Sequence, residues 1–379
     1  MPEPAEDDAL FIGLMSGTSM DGIDAALVRF GQRRCDVLAT RAERYPDELA
    51  EQLRDASRNP AECTVDRIGQ LDRWVGECFA SATLELLAGS GTRAAAVTAI
   101  GSHGQTLRHQ PRAARPFTLQ IGDPNVIALN TGITTVADFR RRDVACGGEG
   151  APLAPAFHQW LFADADRNRA VLNIGGIANV TMLGKGGAPV VGFDTGPGNT
   201  LLDAWIRHQR GRAFDEAGAW AAEGAVTEAL LGSMLDDPYF AEAPPKSTGF
   251  EYFNGSWLRA RIAALGTEPI AAADVQATLA ELSARTMATA ILDVAPDIDE
   301  VLVCGGGIHN TDLMARLEGY LSGVAVTSTE TFGLHPDWVE AAAFAWLALR
   351  RLENLPGNLP EVTGASAAQV LGGIFSGTG

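Results

Sequence analysis

The sequence predicts an α/β protein of two domains, on three observations. Short apolar strands alternate with segments of helical apolar spacing. The chain has 379 residues, which at roughly 150 residues per domain suggests two. A strand, glycine-bearing turn and second strand occur twice, over residues 10–30 and 169–183, as if one architecture were used twice.

The elements follow in order. Leu10-Phe11-Ile12 and Ala25-Ala26-Leu27-Val28 read as strands around a turn of small residues. Residues 47–87 carry helical spacing, with Leu49, Leu53, Ile68, Leu71, Val75, Phe79 and Leu84 on inner faces. Residues 95–100 form a short strand that runs into Gly101-Ser102-His103-Gly104-Gln105-Thr106. Near Val136 the texture changes to Asp138-Phe139-Arg140-Arg141-Arg142-Asp143, then to glycines at 147, 148 and 150 and two prolines. This reads as a hinge near residue 137, about which the halves should close. It makes residues 1–136 plus about 355–379 domain I, and 137–354 domain II.

Strands at 170–174 and 179–183 come next. A strand over 190–193 ends at Asp194, and a glycine turn leads into a helix over about 200–208. A helix is expected over 278–292, a buried strand over 301–304, a turn at Gly305-Gly306-Gly307 and a helix over 311–321. A strongly apolar helix over 338–352 ends before Pro356-Gly357, and the tail carries one more short helix.

Lys and Arg number 29 against 47 Asp and Glu, a formal charge of −18. That argues against nucleic acid or an anionic membrane as a partner. A bound triphosphate would have to be attracted locally, by backbone N–H groups, Mg²⁺ and a few arginines. Five cysteines, an odd number with no CxxC pair, read as reduced thiols. The acidic N-terminus lacks the pattern of a signal peptide, and no apolar run is long enough to span a bilayer. A cytoplasmic location is the expectation.

Three strand-to-glycine-turn segments, at Gly17, Gly196 and Gly305, carry the chemistry. Such turns let a backbone approach a ligand and can present N–H groups to an anion. Each alone reads equally as a tight connection; three together fit a two-domain ATPase. GxxxxGK(S/T) is absent and no GxGxxG follows an early strand, which excludes a P-loop and leaves a dinucleotide fold unsupported. Asp194, at a strand end before a glycine turn, is either a cleft-facing catalyst or a turn-forming Asp. Ser102 and His103 invite a serine-hydrolase reading, but no GxSxG elbow accompanies them. A polar substrate loop or a structural loop fits better. The histidines form no HExxH, so a zinc site is not expected. Arg140-Arg141-Arg142 is a solvated stretch or holds an anionic group. Glu340 fits a capping box with Asp337 as N-cap.

Several longer segments resemble the anhydro-N-acetylmuramic acid kinase family. They are Met15-Ser16-Gly17-Thr18-Ser19-Met20-Asp21-Gly22-Ile23-Asp24, Gly101 to Thr106, Ala137 to Asp143 and Gly150-Ala151-Pro152-Leu153. Asn173-Ile174-Gly175-Gly176, Phe193-Asp194-Thr195-Gly196-Pro197-Gly198-Asn199, Lys246-Ser247-Thr248-Gly249, Cys304 to Gly307 and the helix of Glu340 complete the set. The resemblance runs from about Leu10 to the C-terminus. Met20 stands where leucine is usual, and Glu149 where glutamine is.

The resemblance implies the duplicated ribonuclease H-like fold of actin-like and hexokinase-like ATPases, with a cleft between domains. It implies ATP with Mg²⁺ as cofactor and a small sugar as substrate, 1,6-anhydro-N-acetylmuramic acid. Phosphorylation with opening of the anhydro ring would give N-acetylmuramic acid 6-phosphate in peptidoglycan recycling. Residues Ser16, Gly17, Thr18, Ser19, Met20, Asp21, Gly22 and Ile23 match the ATP loop. Gly175, Gly196, Gly198, Gly305 and Gly306 belong to the other nucleotide turns. Gln105, Arg142 and Glu340 match substrate contacts, and Asp194 matches the catalytic base. A homodimer is implied as well. The rival readings are a related kinase with another acceptor, an ATP-driven clamp and a serine hydrolase.

Overall fold

The computed structural model describes residues 9–266 and 269–377. The chain forms two compact units. One runs to Leu161 and resumes at Trp338; the other is Phe162–Asp337.

The first unit holds β1 (Leu10–Met15), β2 (Gly22–Gly31), β3 (Arg34–Arg44), β4 (Val97–Ser102), β5 (Gln105–Gln110), β6 (Phe117–Ile121) and β7 (Thr135–Ala137). The second holds β8 (Arg169–Ile174), β9 (Ile177–Leu183), β10 (Val191–Pro197), β11 (Glu300–Cys304) and β12 (Ala325–Ser328). The tail returns β13 (Gly373–Phe375) to the first sheet.

The sheet orders are β13-β7-β4-β1-β2-β3 and β10-β9-β8-β11-β12. In each unit the opening strand pairs antiparallel with its hairpin partner and parallel with the strand after a helical crossover. Leaving aside the separate β5–β6 pair and the added edge strand β13, each sheet runs 3-2-1-4-5 when its own strands are numbered in chain order, the ribonuclease H-like order. The suspected repeat is a true duplication of topology, with parallel pairs made by helical crossovers.

Alternation along β1 sorts its side chains to two faces. Ile12 and Leu14 enter a core with Leu49, Leu53, Leu71, Phe79 and Ile100, under the helices Asp47–Arg58 and Val65–Ser90. Gly13 points the other way, beneath helix Val339–Leu352. Gly101 pairs with Gly13 on the neighbouring strand β4. A Cβ on Gly13 would overlap Ala341 O, and one on Gly101 would overlap Phe344 O. Two adjacent glycines thus make a floor on which a helix backbone lies directly. The helix answers with Ala341, Ala342, Ala343, Ala345 and Ala348, all buried. The second unit packs Leu172, Ile174, Val301 and Val303 against the helices Ala272–Val294 and Thr311–Tyr320.

Two expectations are corrected here. Residues 137–161 and the helix Val339–Leu352 belong to the first unit, because β7 pairs with β4 and β13 and that helix lies on β1 and β4. The chain passes between units at 161–162 and 337–338, not near 137 and 354. The helical spacing of residues 47–87 is carried by two helices, Asp47–Arg58 and Val65–Ser90, as that spacing allows. The capping box does not form: Trp338 is the N-cap and no side chain bonds there. Asp337 instead accepts from His309 Nε2 at 2.9 Å. Among the described residues no helix is long and apolar enough to cross a membrane.

Candidate active site

In the first unit a polar knot fixes the loop between β1 and β2. Ser16 is buried, with its Oγ 2.6 Å from Gly22 O and 2.7 Å from Gln105 Oε1. Its one proton serves one acceptor at a time. Tyr45 donates its hydroxyl to Ser16 Oγ at 3.2 Å, while Gln105 Nε2 donates to Gly17 O at 3.1 Å. Met20 and Ile23 are buried and Gly22 is packed under Glu43 O. Thr18, Ser19 and Asp21 remain exposed at the tip, where Ser19 donates to Asp21 Oδ1 at 2.6 Å. The feet of the loop are tied down and its tip faces water, a form suited to holding an anionic ligand with little ordering cost.

The expectation that Gln105 contacts substrate is corrected. Its side chain is fully buried and bonds Ser16, Gly17 O and Thr106 O, so it holds the foot of the loop. Gln105→Ala should release the foot of the loop and cost about 1–3 kcal/mol of stability, since Ser16 and the Gly17 carbonyl lose a buried partner; an unchanged melting temperature would refute this.

His103 extends the knot. Its Nδ1 donates to Ser16 O at 3.0 Å, and its Nε2 accepts from Arg140 Nη2 at 2.9 Å. Those partners fix one neutral tautomer. Burial, and then the Arg140 charge, hold its pKa well below the usual value. Arg140 also donates to Gly150 O at 2.8 Å. Burial lowers its pKa to about 10, against the opposing pull of Glu340 and Asp143. Glu340 opens the helix on the glycine floor. Its side chain reaches solvent, yet the enclosing protein raises its pKa while Arg140 lowers it. Sequence reading passed over Arg140, since the three successive arginines carry no signal of which one turns inward. Arg142 is exposed and donates from Nε to Gln369 Oε1 at 3.1 Å.

In the second unit Asp194 lies in β10 beside a break in the register with β9. Bulges of this kind re-aim side chains. Ser247 Oγ and Thr248 N donate to Asp194 Oδ2 at 3.0 and 2.9 Å. Asp194 N donates to Lys246 O at 3.1 Å, and Tyr239 donates its hydroxyl to Asp194 O at 2.7 Å. Among the described residues Oδ1 accepts no hydrogen bond. Burial first, with a smaller push from Glu251, raises the carboxyl pKa; Thr248 and Ser247 pull it partly back. The arrangement suits a general base: one oxygen held, the other open, the proton affinity elevated.

Three turns converge at the strand ends of this unit. Gly198 N, Asn199 N and Thr200 N donate to the carbonyls of Gly176, Gly175 and Gly176 at 2.9, 2.9 and 3.0 Å. Gly305, at φ 81°, backs onto Asn173 and Ile174, and its N–H donates to Pro336 O at 3.0 Å. The picture of Gly196 and Gly198 as phosphate-holding turns therefore changes. The N–H of Gly198 is spent on Gly176 O, and a Cβ there would overlap Gly175 O. A Cβ on Gly196 would press on Phe240. Gly198 permits close packing of backbone, and Gly196 close packing of the Phe240 ring. By contrast, a Cβ on Gly306 would meet nothing within 4 Å, so that turn faces open space. Among the described residues no group of three or more His, Cys, Asp or Glu could hold a metal ion.

A family profile described as anhydro-N-acetylmuramic acid kinase matches residues 9–377. The chain belongs to the anhydro-N-acetylmuramic acid kinase family. A protein of that name from Shewanella amazonensis is 51% identical over 367 residues, covering 97% of this chain and 98% of the relative. One from Xanthomonas campestris is 52% identical over 369 residues, 97% of each. Among solved structures, an activator of the 2-hydroxyisocaproyl-CoA dehydratase from Clostridium difficile with bound ADPNP covers 91% of this chain at TM-score 0.48 and 10% identity. That likeness is in outline and adds nothing to the strand order. In this anhydro-N-acetylmuramic acid kinase chain, Tyr45 and Arg140 in the first unit, and the Ser247–Thr248 pair beside Asp194 in the second, were not assigned a role from sequence. Arg140 and the Ser247–Thr248 pair lay within family-like segments, 137–143 and 246–249, whereas Tyr45 carried no signal.

Proposed function

We propose that this protein transfers the γ-phosphoryl group of ATP to 1,6-anhydro-N-acetylmuramic acid while water opens the anhydro bridge. The products are N-acetylmuramic acid 6-phosphate and ADP, in peptidoglycan recycling. The observation that carries the reading is Asp194, with Oδ2 held by Ser247 and Thr248 and Oδ1 open, in a chain matching the family from end to end.

Asp194 takes a proton from water as the water oxygen bonds to C1 of the sugar. The C1–O6 bond breaks, and O6 bonds to the γ-phosphorus. The bond from that phosphorus to the β,γ-bridging oxygen breaks, releasing ADP. Ordinary glycoside cleavage needs a second carboxyl to protonate the leaving oxygen. Here the phosphoryl group captures that oxygen, so one carboxylate suffices. The exposed tip of the 16–23 loop and the turn at Gly306 are the elements we assign to the nucleotide. Mg²⁺ would be carried largely by the phosphates, as is usual where the protein supplies few ligands, and would offset their charge.

We assign Arg142 to the lactate carboxylate, because its guanidinium is exposed with only Nε engaged. Arg142→Ala should raise KM for the acceptor at least tenfold more than KM for ATP; equal changes would remove the assignment. Reaction in ¹⁸O water followed by mass spectrometry tests the whole scheme: label must enter the sugar phosphate, and an unlabelled product means a simple kinase. The homodimer is part of the same proposal, checked by light scattering for twice the 39.9 kDa chain mass.

A further inference from the structure

Between helices Glu228–Leu235 and Gly255–Ala264 the chain makes a long excursion, and its segment Lys246-Ser247-Thr248 meets Asp194. One carboxylate ties the ends of that excursion together. Asp237 is buried and accepts at Oδ1 from Tyr239 N at 3.0 Å and from the Tyr252 hydroxyl at 2.8 Å. At Oδ2 it accepts from Trp257 Nε1 at 2.9 Å and from Arg261 Nη2 at 2.6 Å. Arg261 also donates to Ser233 O at 2.9 Å, so the network joins both helices to both ends of the loop. A carboxylate taken out of water is costly unless it is bonded in this way. A fully satisfied network of directional bonds then specifies one geometry.

Residues 237–252 form a closed loop packed by its own side chains. Lys246 Nζ donates back to Tyr239 O at 3.1 Å and lies 4.7 Å from the centre of the Tyr239 ring. The buried Phe253 ring stacks on Phe240 at 5.5 Å and meets Tyr239 and Trp257 edge-on. Four hydrogen bonds join this loop to Asp194. The Tyr239 hydroxyl donates to Asp194 O, Asp194 N donates to Lys246 O, and Ser247 Oγ and Thr248 N donate to Oδ2. Tyr239 is the shared member: its N–H goes to Asp237 and its hydroxyl to Asp194.

We propose that Asp237 is a positioning residue for the reaction: by closing the loop 237–252 it sets the direction in which Asp194 presents its open oxygen. The assignment rests on Asp194 being the base of the proposed kinase reaction. With four donors on its two oxygens, Asp237 has its acceptor sites filled, so it acts through the loop.

A double-mutant cycle tests this role. Tyr252→Phe removes one hydroxyl from a residue that is 44% exposed, which opens the loop closure while leaving the buried rings in place. It should lower kcat about three- to tenfold, the scale of one hydrogen bond, and leave KM for ATP within about twofold. Asp237→Asn turns an amide N–H toward donors and should lower kcat about tenfold or more, as a displaced catalytic group does. In the Asp194→Asn background neither change should lower the residual kcat by more than about twofold, because the group being positioned is gone. A merely structural role would lower kcat equally in both backgrounds. That result, or an unchanged kcat in Tyr252→Phe, overturns the assignment and leaves the kinase reading intact. If Asp237→Asn does not fold, Tyr252→Phe alone decides. Near-normal turnover in Asp194→Asn itself overturns the base reading, and the positioning role falls with it.

Discussion

Asp194→Asn should lose roughly 10²–10⁴ in kcat, about 3–5 kcal/mol of transition-state stabilisation. An amide oxygen can still accept from Ser247 and Thr248, so the loop keeps its anchor. ATP binding, measured by calorimetry, should be unchanged. The pH dependence gives an independent readout. Only the ionised carboxylate can take the proton from water, so kcat falls as pH drops through the Asp194 pKa. Burial places that pKa above the ordinary carboxylate value, so the acid limb lies higher than for an exposed Asp. In Asp194→Asn that limb should vanish from the residual activity. The stability sign runs the same way: a carboxyl with a raised folded-state pKa destabilises the fold once ionised. At neutral pH the variant should therefore melt no lower than the unaltered protein. Near-normal turnover in Asp194→Asn sinks the base assignment.

Gly101→Val should cost about 3 kcal/mol or more, because the new side chain meets helix backbone that cannot yield as a side-chain end could. For a unit of this size that is a fall of roughly 6–12 °C in melting temperature. Its Cβ would overlap Phe344 O and stand 3.2 Å from Ala348 Cβ. Gly13→Val should behave alike, since Ala341 O lies over that position. The two effects should not add, because one displaced helix relieves both clashes. Glu340 opens this helix, so residual activity should also fall. Unchanged melting in either variant would refute the glycine floor.

Much of the fold was legible along the chain. The paired hairpins at 10–30 and 169–183 gave the duplication, because turn chemistry and apolar alternation are local properties. Helix ends were read within a few residues for Thr200–Arg210 and Thr311–Tyr320, and less closely for Ala272–Val294. The domain boundary was misplaced because a glycine and proline cluster marks a bend without saying which sheet its flanks join. β7 is three residues long, and only its pairing with β4 and β13 assigns it. The glycine floor was likewise invisible. Gly101 reads as the start of a loop, and the alanine-rich helix that covers it is more than 200 residues away. The alanines of residues 341–348 were a signal of close packing without a named partner.

The sequence by itself determined the class of fold, the repeat and the family, all of which are written in contiguous residues. Tertiary structure alone decided which polar groups remain available. Gln105, expected to contact substrate, is buried under the loop; Gly198 has spent its N–H on Gly176; Arg140 turns inward while Arg142 does not. The reason is physical. A residue's chemistry is fixed by its type, but its free valences depend on which distant group has already satisfied them, and that follows only from packing.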